Sequence, residues 1–545
     1  MKYLQTILAC GLLLAGMPAQ AQVTERERPA EWKNLVTGGR FADRFEAMPQ
    51  GQLSDKNWGC ADVQPRYVDN GIEREDLSFW GGNILKGDDG RYHLFVCGWK
   101  ENSPRGHMFW SKSTVFHTVA DKPYGPYHIV NSIGKGHNPE AFRLTDGRYV
   151  VYVIDGCYIA DRLEGPWLYS RFSFDPRDRR IIEGLSNLSF ASRPDNSKLM
   201  VCRGGGIWVS RDGLSPYQQL TDKRVYPAVE GEFEDPVIWR DELQYHLIVN
   251  DWLGRVAFYE RSLDGLHWVV EDGEAYVPGI SRHADGKVEN WFKYERPKVL
   301  QDEYGRVTQM NFAVIDTIKW EDLPNDRHSS KNICIPMNRG LRMEVRNTAP
   351  IGPKTKKIEL LIKGDADGRP LADLDLASLR FGTHSEVNYG RGAKAVKAVP
   401  QGNDLLVTFQ GKDSGITDEE FAPKLIGAYK DGQLAFGYAR LPYLNYKPAL
   451  LSARLPVAQG GGMAVEVQNF GLSASEPCTV SVTLNGQLLG RTEVRVLQPY
   501  EAVTCSVPSV TYRPQEKDVV EVCFERAGNV FERNTLVVEP KQEKK

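Results

Sequence analysis

The chain is expected to be all-β: a five-bladed β-propeller followed by two β-sandwich (immunoglobulin-like) domains. Three observations carry that expectation. A short phrase recurs five times between residues 80 and 310, at roughly 45–65-residue spacing. Each copy runs through an apolar stretch into a turn and then into an aromatic or aliphatic strand, the texture of a blade. Beyond residue 340 the phrase stops and clean period-two alternation takes over, as sandwich strands require.

Residues 1–21 read as a secretory signal peptide, with Lys2 as the charged region, Ile7 to Leu14 as the apolar core and Ala19-Gln20-Ala21 as the cleavage site. The apolar run is too short to span a membrane. A periplasmic or secreted protein without membrane insertion is therefore expected. Residues 22–57 carry mixed charge and little periodicity and read as an N-terminal arm. A formal net charge of −3 gives no electrostatic case for nucleic acid. The cysteines show no C-x-x-C pair, which argues against a zinc site of the usual spacing. Cys97 and Cys202 sit in apolar strands and read as small buried hydrophobes.

The propeller is assigned to residues 58–340. Its phrases are Trp80-Gly81-Gly82-Asn83, His137-Asn138-Pro139-Glu140, Ser186-Asn187-Leu188-Ser189, Glu234-Asp235-Pro236-Val237 and Glu295-Arg296-Pro297-Lys298. Turns such as Asp89-Gly90 and Asp146-Gly147 follow at similar offsets, and Gly125-Pro126 and Gly165-Pro166 alternate with the main phrase. Residues 356–445 contain strand-like runs such as Ile358 to Ile362 and Leu405 to Phe409, and are expected to form the first β-sandwich. Residues 446–540 alternate more cleanly, with Asn485-Gly486 marking a tight hairpin, and are expected to form the second. The charged tail 541–545 is expected to be disordered.

In a propeller the head of every phrase points at one axis. Aligning the five copies brings together Trp80-Gly81, His137-Asn138, Ser186-Asn187, Glu234-Asp235 and Glu295-Arg296. Charged groups are rarely buried unpaired, so such a set reads as a polar funnel. Glycoside hydrolysis needs two carboxyl groups flanking a sugar bond. Glu234, Asp235 and Glu295, on adjacent blades, are the candidates, with His137 as proton donor, hydroxyl ligand or pKa modulator. Arg296 would hold a carboxylate ionised or bind an acidic sugar. Asn138, Asn187 and Trp80 would line the funnel. Asp76, His283 and Trp291 are further substrate-binding candidates from loops, and Asp251-Trp252 a further part of the opening. Each group alone has a plain structural reading: an Asp-Pro caps a turn, Glu-Arg is an ion pair, a buried aromatic is core.

The Asp-Pro and Glu-x-Pro phrases, the Asp-Gly turns and the Gly-Pro-aromatic segments together resemble the five-bladed propeller glycoside hydrolases, families 43 and 62 with relatives 32, 68 and 117. The resemblance covers about residues 58–340. It implies an inverting or retaining, exo- or endo-acting glycosidase with carboxylates at the funnel base and Glu234 at the general-acid position; a secreted, exo-acting, inverting enzyme on a plant or algal oligosaccharide is the form expected. The layout also resembles polysaccharide-utilisation proteins of Bacteroidetes-type bacteria. The chain departs from family 43 where that family's general base is expected, since Gly81-Gly82 stand there and Asn138 heads the second phrase. The base is then at Asp76 or Glu295, or the mechanism uses His137. A non-catalytic glycan-binding protein, or a polysaccharide lyase with a His or Tyr base, are the alternatives. The resemblance further implies that no cofactor is required, with a structural calcium or sodium on the propeller axis as the one metal to look for, near His137 or His283.

Overall fold

A computed structural model describes residues 23–54, 59–60, 63–508 and 512–538. The signal peptide and the charged tail lie outside the described residues. The chain is built almost entirely of strands. Between residues 77 and 336 five sheets follow one another, here called I to V; each is an antiparallel meander, and sheet III carries one further strand, Phe174–Asp175, paired in parallel at its edge. Their first strands are Leu77–Lys86, Glu140–Arg143, Ser189–Ser192, Phe233–Arg240 and Lys293–Gln301. Each packs against the first strand of the next sheet, and that of sheet V packs against that of sheet I, so the five close a propeller-like ring.

The ring is locked by the segment ahead of sheet I. Ile72 bridges Asn332 in the last strand of sheet V, and Asn70 donates to the Cys334 carbonyl at 2.9 Å. Gly71 is required there: a Cβ would lie 1.8 Å from the Asn332 carbonyl oxygen. The described part of the arm anticipated at 22–57, residues 23–54, packs against sheets IV and V and the segment 341–440, with Arg26 on Asp251, Arg40 on Glu274 and the Val36 N–H on the Asn388 carbonyl.

The second position of the repeated phrase has one backbone conformation throughout. Gly81, Asn138, Asn187, Asp235 and Arg296 have φ of 60°, 54°, 50°, 56° and 51°. In sheets I, IV and V the strand register shifts at this point, a bulge that re-aims the side chains at the head of the strand. Gly, Asn and Asp tolerate left-handed φ; a long side chain such as Arg does so at a cost of about 1–3 kcal/mol.

The expected sandwich at 356–445 is instead a closed seven-stranded barrel that begins at Leu341. The strand Leu341–Val345 pairs in parallel with Leu434–Arg440, and that long-range pairing removes both sheet edges. Val345, Ile358, Leu360, Phe381, Val407 and Phe409 fill its interior.

Residues 451–508 and 512–537 form two sheets facing across a core of Val465, Val467, Val480, Val482, Val520 and Phe524, the sandwich expected there. Asn485 and Gly486, both at positive φ, make its hairpin turn. This domain docks on sheet III through Arg177 and Arg179, whose guanidinium groups reach Ser452. The eight described cysteines are all free thiols. Among the described residues no helix is long and apolar enough to cross a membrane.

Candidate active site

The left-handed positions bring the side chains of Asn138, Asn187, Asp235 and Arg296 around the axis of the ring, with Gly81 as the fifth position. Asn138 donates through Nδ2 to Asn187 Oδ1 at 3.0 Å, and Asn187 Nδ2 is shared between Glu234 Oε1 at 3.0 Å and Asp235 Oδ1 at 3.1 Å. Arg296 closes the chain from the other side, its backbone N–H on Asp235 Oδ2 at 3.1 Å and its Nη1 on Oδ1 at 2.6 Å. Gly81 leaves the gap between Asn138 and Arg296 open. Two hydrogen bonds to Asp235 over-determine Arg296 and hold its strained backbone. Beneath this ring Glu140 accepts from the Phe190 N–H at 2.9 Å and pairs with Lys298 across the axis.

Above the ring the charges are arranged unequally. Glu234 is the most exposed of the three carboxylates, its side chain 21% accessible against 2% for Asp235 and 1% for Glu295. Burial, then the neighbouring charges of Asp235 and Glu295, raise the Glu234 pKa above the usual Glu range, against the pull of Lys319 and Arg203. Asp235 goes the other way. Burial alone would raise it, but Arg296 and Lys319 with the hydrogen bonds from Arg296 hold it below the usual Asp range. Environment therefore shifts two adjacent carboxyls in opposite directions.

Glu295 is flanked by Lys293, 3.5 Å away, and by Lys319 in direct contact. Lys319 lies over the Trp80 ring at 5.1 Å and the Trp252 ring at 5.9 Å. Its charge is favoured despite burial, because Glu295, Glu234 and Asp235 all attract it. Arg203 approaches Glu234 to 3.5 Å.

Several candidates from sequence sit differently. His137 borders the site, but burial, Arg296 and Lys319 all drive its pKa well below normal. Its Nδ1 meets Ser113 Oγ at 3.1 Å and its ring packs on Trp110, so it is a neutral wedge, not a cationic acid. Trp80 is 2% exposed and supports Lys319 and His107 with its ring. Asn138 and Asn187 donate along the chain toward Glu234 and Asp235, and Arg296 holds Asp235, while Asn138 Oδ1 and Arg296 Nε are buried without a hydrogen-bond partner. Asp76 is an exposed partner of Arg74. Asp251 is tied to Arg26 and to the backbone N–H groups of Glu232 and Gly254. His283 stacks on Tyr67 and bonds to Glu289, as does the Trp291 indole N–H. Trp291 is 1% exposed and offers no face to a ligand. Lys319 and Lys293 belong to the site and had not been singled out; Arg203, which flanks the inner strand of the third phrase, belongs to it as well. Lys293 carried a signal, lying two residues before Glu295 on one strand face; Lys319 comes from a loop and carried none.

The axis does not fit a metal ion. Arg296 and Lys298 already supply positive charge to its two carboxylates, and among the described residues no group of three or more His, Cys, Asp or Glu could hold one.

A family model described as CARDB matches residues 459–536, within the C-terminal sandwich. No curated protein matches the chain. Solved structures similar to it include a family 117 glycoside hydrolase from the marine bacterium Zobellia galactanivorans, with 10% identity over 54% of this chain and 90% of that one and a TM-score of 0.36. A second, described as a glycoside hydrolase, has 10% identity over 86% of this chain and 99% of the other, with a TM-score of 0.37. An alpha-L-arabinofuranosidase from Lactobacillus brevis has 11% identity over 47% and 91%, with a TM-score of 0.32.

Proposed function

We propose that the chain is a glycoside hydrolase that cleaves an oligosaccharide at the mouth of a five-bladed propeller. The observation that carries this reading is the pairing of a part-exposed Glu234, its pKa raised, with Asp235, its pKa lowered, and the lysine-flanked Glu295. Glu234 is the general acid: its raised pKa keeps a proton available for the leaving-group oxygen. Asp235, locked by Arg296, sustains that pKa by its fixed charge. Glu295 is the second carboxylate, since Asp76 is an exposed partner of Arg74 and the His137 pKa is driven well below its ordinary value. Lys319 covers Glu295 and must swing aside, or engage a sugar hydroxyl, for Glu295 to act. The plant or algal origin of the sugar, the exo and inverting action and the periplasmic or secreted setting remain part of the proposal on the strength of the sequence alone.

One observation favours a non-catalytic glycan-binding protein. Glu295 is enclosed by two lysines, and the recess beside it and Trp252 holds only about 10 Å³. Incubation with a panel of plant and algal oligosaccharides separates the two. The hydrolase reading expects new reducing ends that are lost in Glu295→Gln. Saturable binding with no product at any incubation time selects the binding protein.

A further inference from the structure

A cavity of about 480 Å³ lies away from the axis, where the outer ends of sheets IV and V meet the barrel. That is the size range of small-ligand sites. Its lining is charged one way: eight cationic residues against three carboxylates, in a chain whose net charge is −3. Some of these cations are committed to the protein. Arg306 pairs with Asp302 and Asp365, Arg339 with Asp367, and Lys363 with Asp404. Three are not. Arg240 and Arg440 each meet only an aromatic ring, Tyr245 and Tyr446, and Lys447 has no charged partner among the described residues. Arg342 lies flat on the Tyr304 ring at 3.5 Å and uses only its Nε on Asp365, at 3.2 Å. Its two terminal nitrogens have no hydrogen-bond partner among the described residues. Guanidinium groups held by ring stacking, with their donors unspent, are pre-organised for planar oxyanions.

We infer that this cavity is a second binding site, for a short anionic carbohydrate carrying carboxylate or sulfate groups. Arg240, Arg342, Arg440 and Lys447 take the anionic groups, and the Tyr304 edge contacts the sugar. That the anion is borne by a sugar rests on the glycosidase reading of the axis; that the cavity takes an anion does not. The site is built from the propeller-like sheets and the barrel together, so it gives the barrel a role in holding a charged polymer while another part of that polymer reaches the axis.

Isothermal titration of the full chain with trigalacturonate, a chondroitin sulfate tetrasaccharide and neutral maltotetraose tests this. One or both anionic sugars bind, with affinity falling as salt rises, and the neutral one does not. Arg240→Ala and Arg440→Ala each weaken that binding by about tenfold or more, as loss of one charge-assisted contact requires. Both residues are at least partly exposed and have no hydrogen bond to lose, and circular dichroism checks that the variants fold. Glu234→Gln leaves this binding unchanged, which separates the cavity from the axis. The inference is overturned if neither anionic sugar binds, if both arginine variants bind like wild type, or if only Glu234→Gln abolishes binding. Inorganic sulfate competing as well as the oligosaccharides keeps the anion site and overturns the sugar assignment.

Discussion

Two buried clusters of charge show how the same residue types do different work. Where sheet IV meets the barrel, Glu271 Oε1 accepts from Arg261 Nε at 2.5 Å and from the Tyr438 hydroxyl at 2.8 Å, and Oε2 from Lys424 Nζ at 3.0 Å. Arg44 of the N-terminal arm donates to that hydroxyl at 2.8 Å, and Lys424 also reaches Asn388 at 2.7 Å. Every oxygen is met, nothing faces solvent, and the Glu271 pKa sits well below the usual range because Lys424 and Arg261 outweigh its burial. At the axis the Asp235–Arg296 pair has the same character. Glu234 beside it has a raised pKa, one amide donor and an opening to solvent. A carboxylate that is fully paired is a structural tie; one left short of partners at a mouth is poised to trade a proton.

The sharpest way to break this comparison is to remove one carboxyl from each cluster. Glu234→Gln is expected to lower turnover by about 10²–10⁴-fold, the usual contribution of a general acid, with the thermal midpoint nearly unchanged. Glu271→Gln should do the reverse. It leaves Arg261 and Lys424 buried without their counter-charge and is expected to cost about 3–5 kcal/mol of stability, read from denaturant midpoints, while the folded fraction keeps its turnover number. A smaller effect on the rate is expected from Lys319→Met. Lys319 pulls the Glu234 pKa down, so its loss should move the alkaline limb of the rate profile to higher pH. An unmoved limb would show that Lys319 does not act on Glu234.

The smallest effect is one of pH on stability. The folded pKa of Glu271 lies below its ordinary value of 4.5, so its contribution is complete above that value and is lost as pH falls toward the folded one. Wild type should lose urea resistance through that acid window, and Glu271→Gln should show a shallower loss. Equal slopes would mean that other carboxylates dominate acid unfolding.

The axis was legible because it is repeated. The second position of each phrase holds Gly, Asn, Asn, Asp and Arg, and four of these are residues that tolerate the left-handed backbone found at all five. Aligning the phrases therefore aligned real geometry. The barrel was not legible, because Ile358 to Ile362 alternates alike in a sandwich or a barrel, and only the distant pairing of Leu341–Glu344 with Gly437–Arg440 decides between them. His283 and Trp291 misled for a related reason. A loop His and Trp look available in sequence, whereas both are spent on Glu289 inside the core. Lys319 was invisible because its position depends on how a single loop folds back over Trp80 and Glu295.

The most direct test of the central claim is product release from oligosaccharides by wild type and Glu234→Gln, measured side by side on folded protein. The account predicts a released sugar with wild type and almost none with the variant. Equal release from both would remove Glu234 from the chemistry and contradict the account.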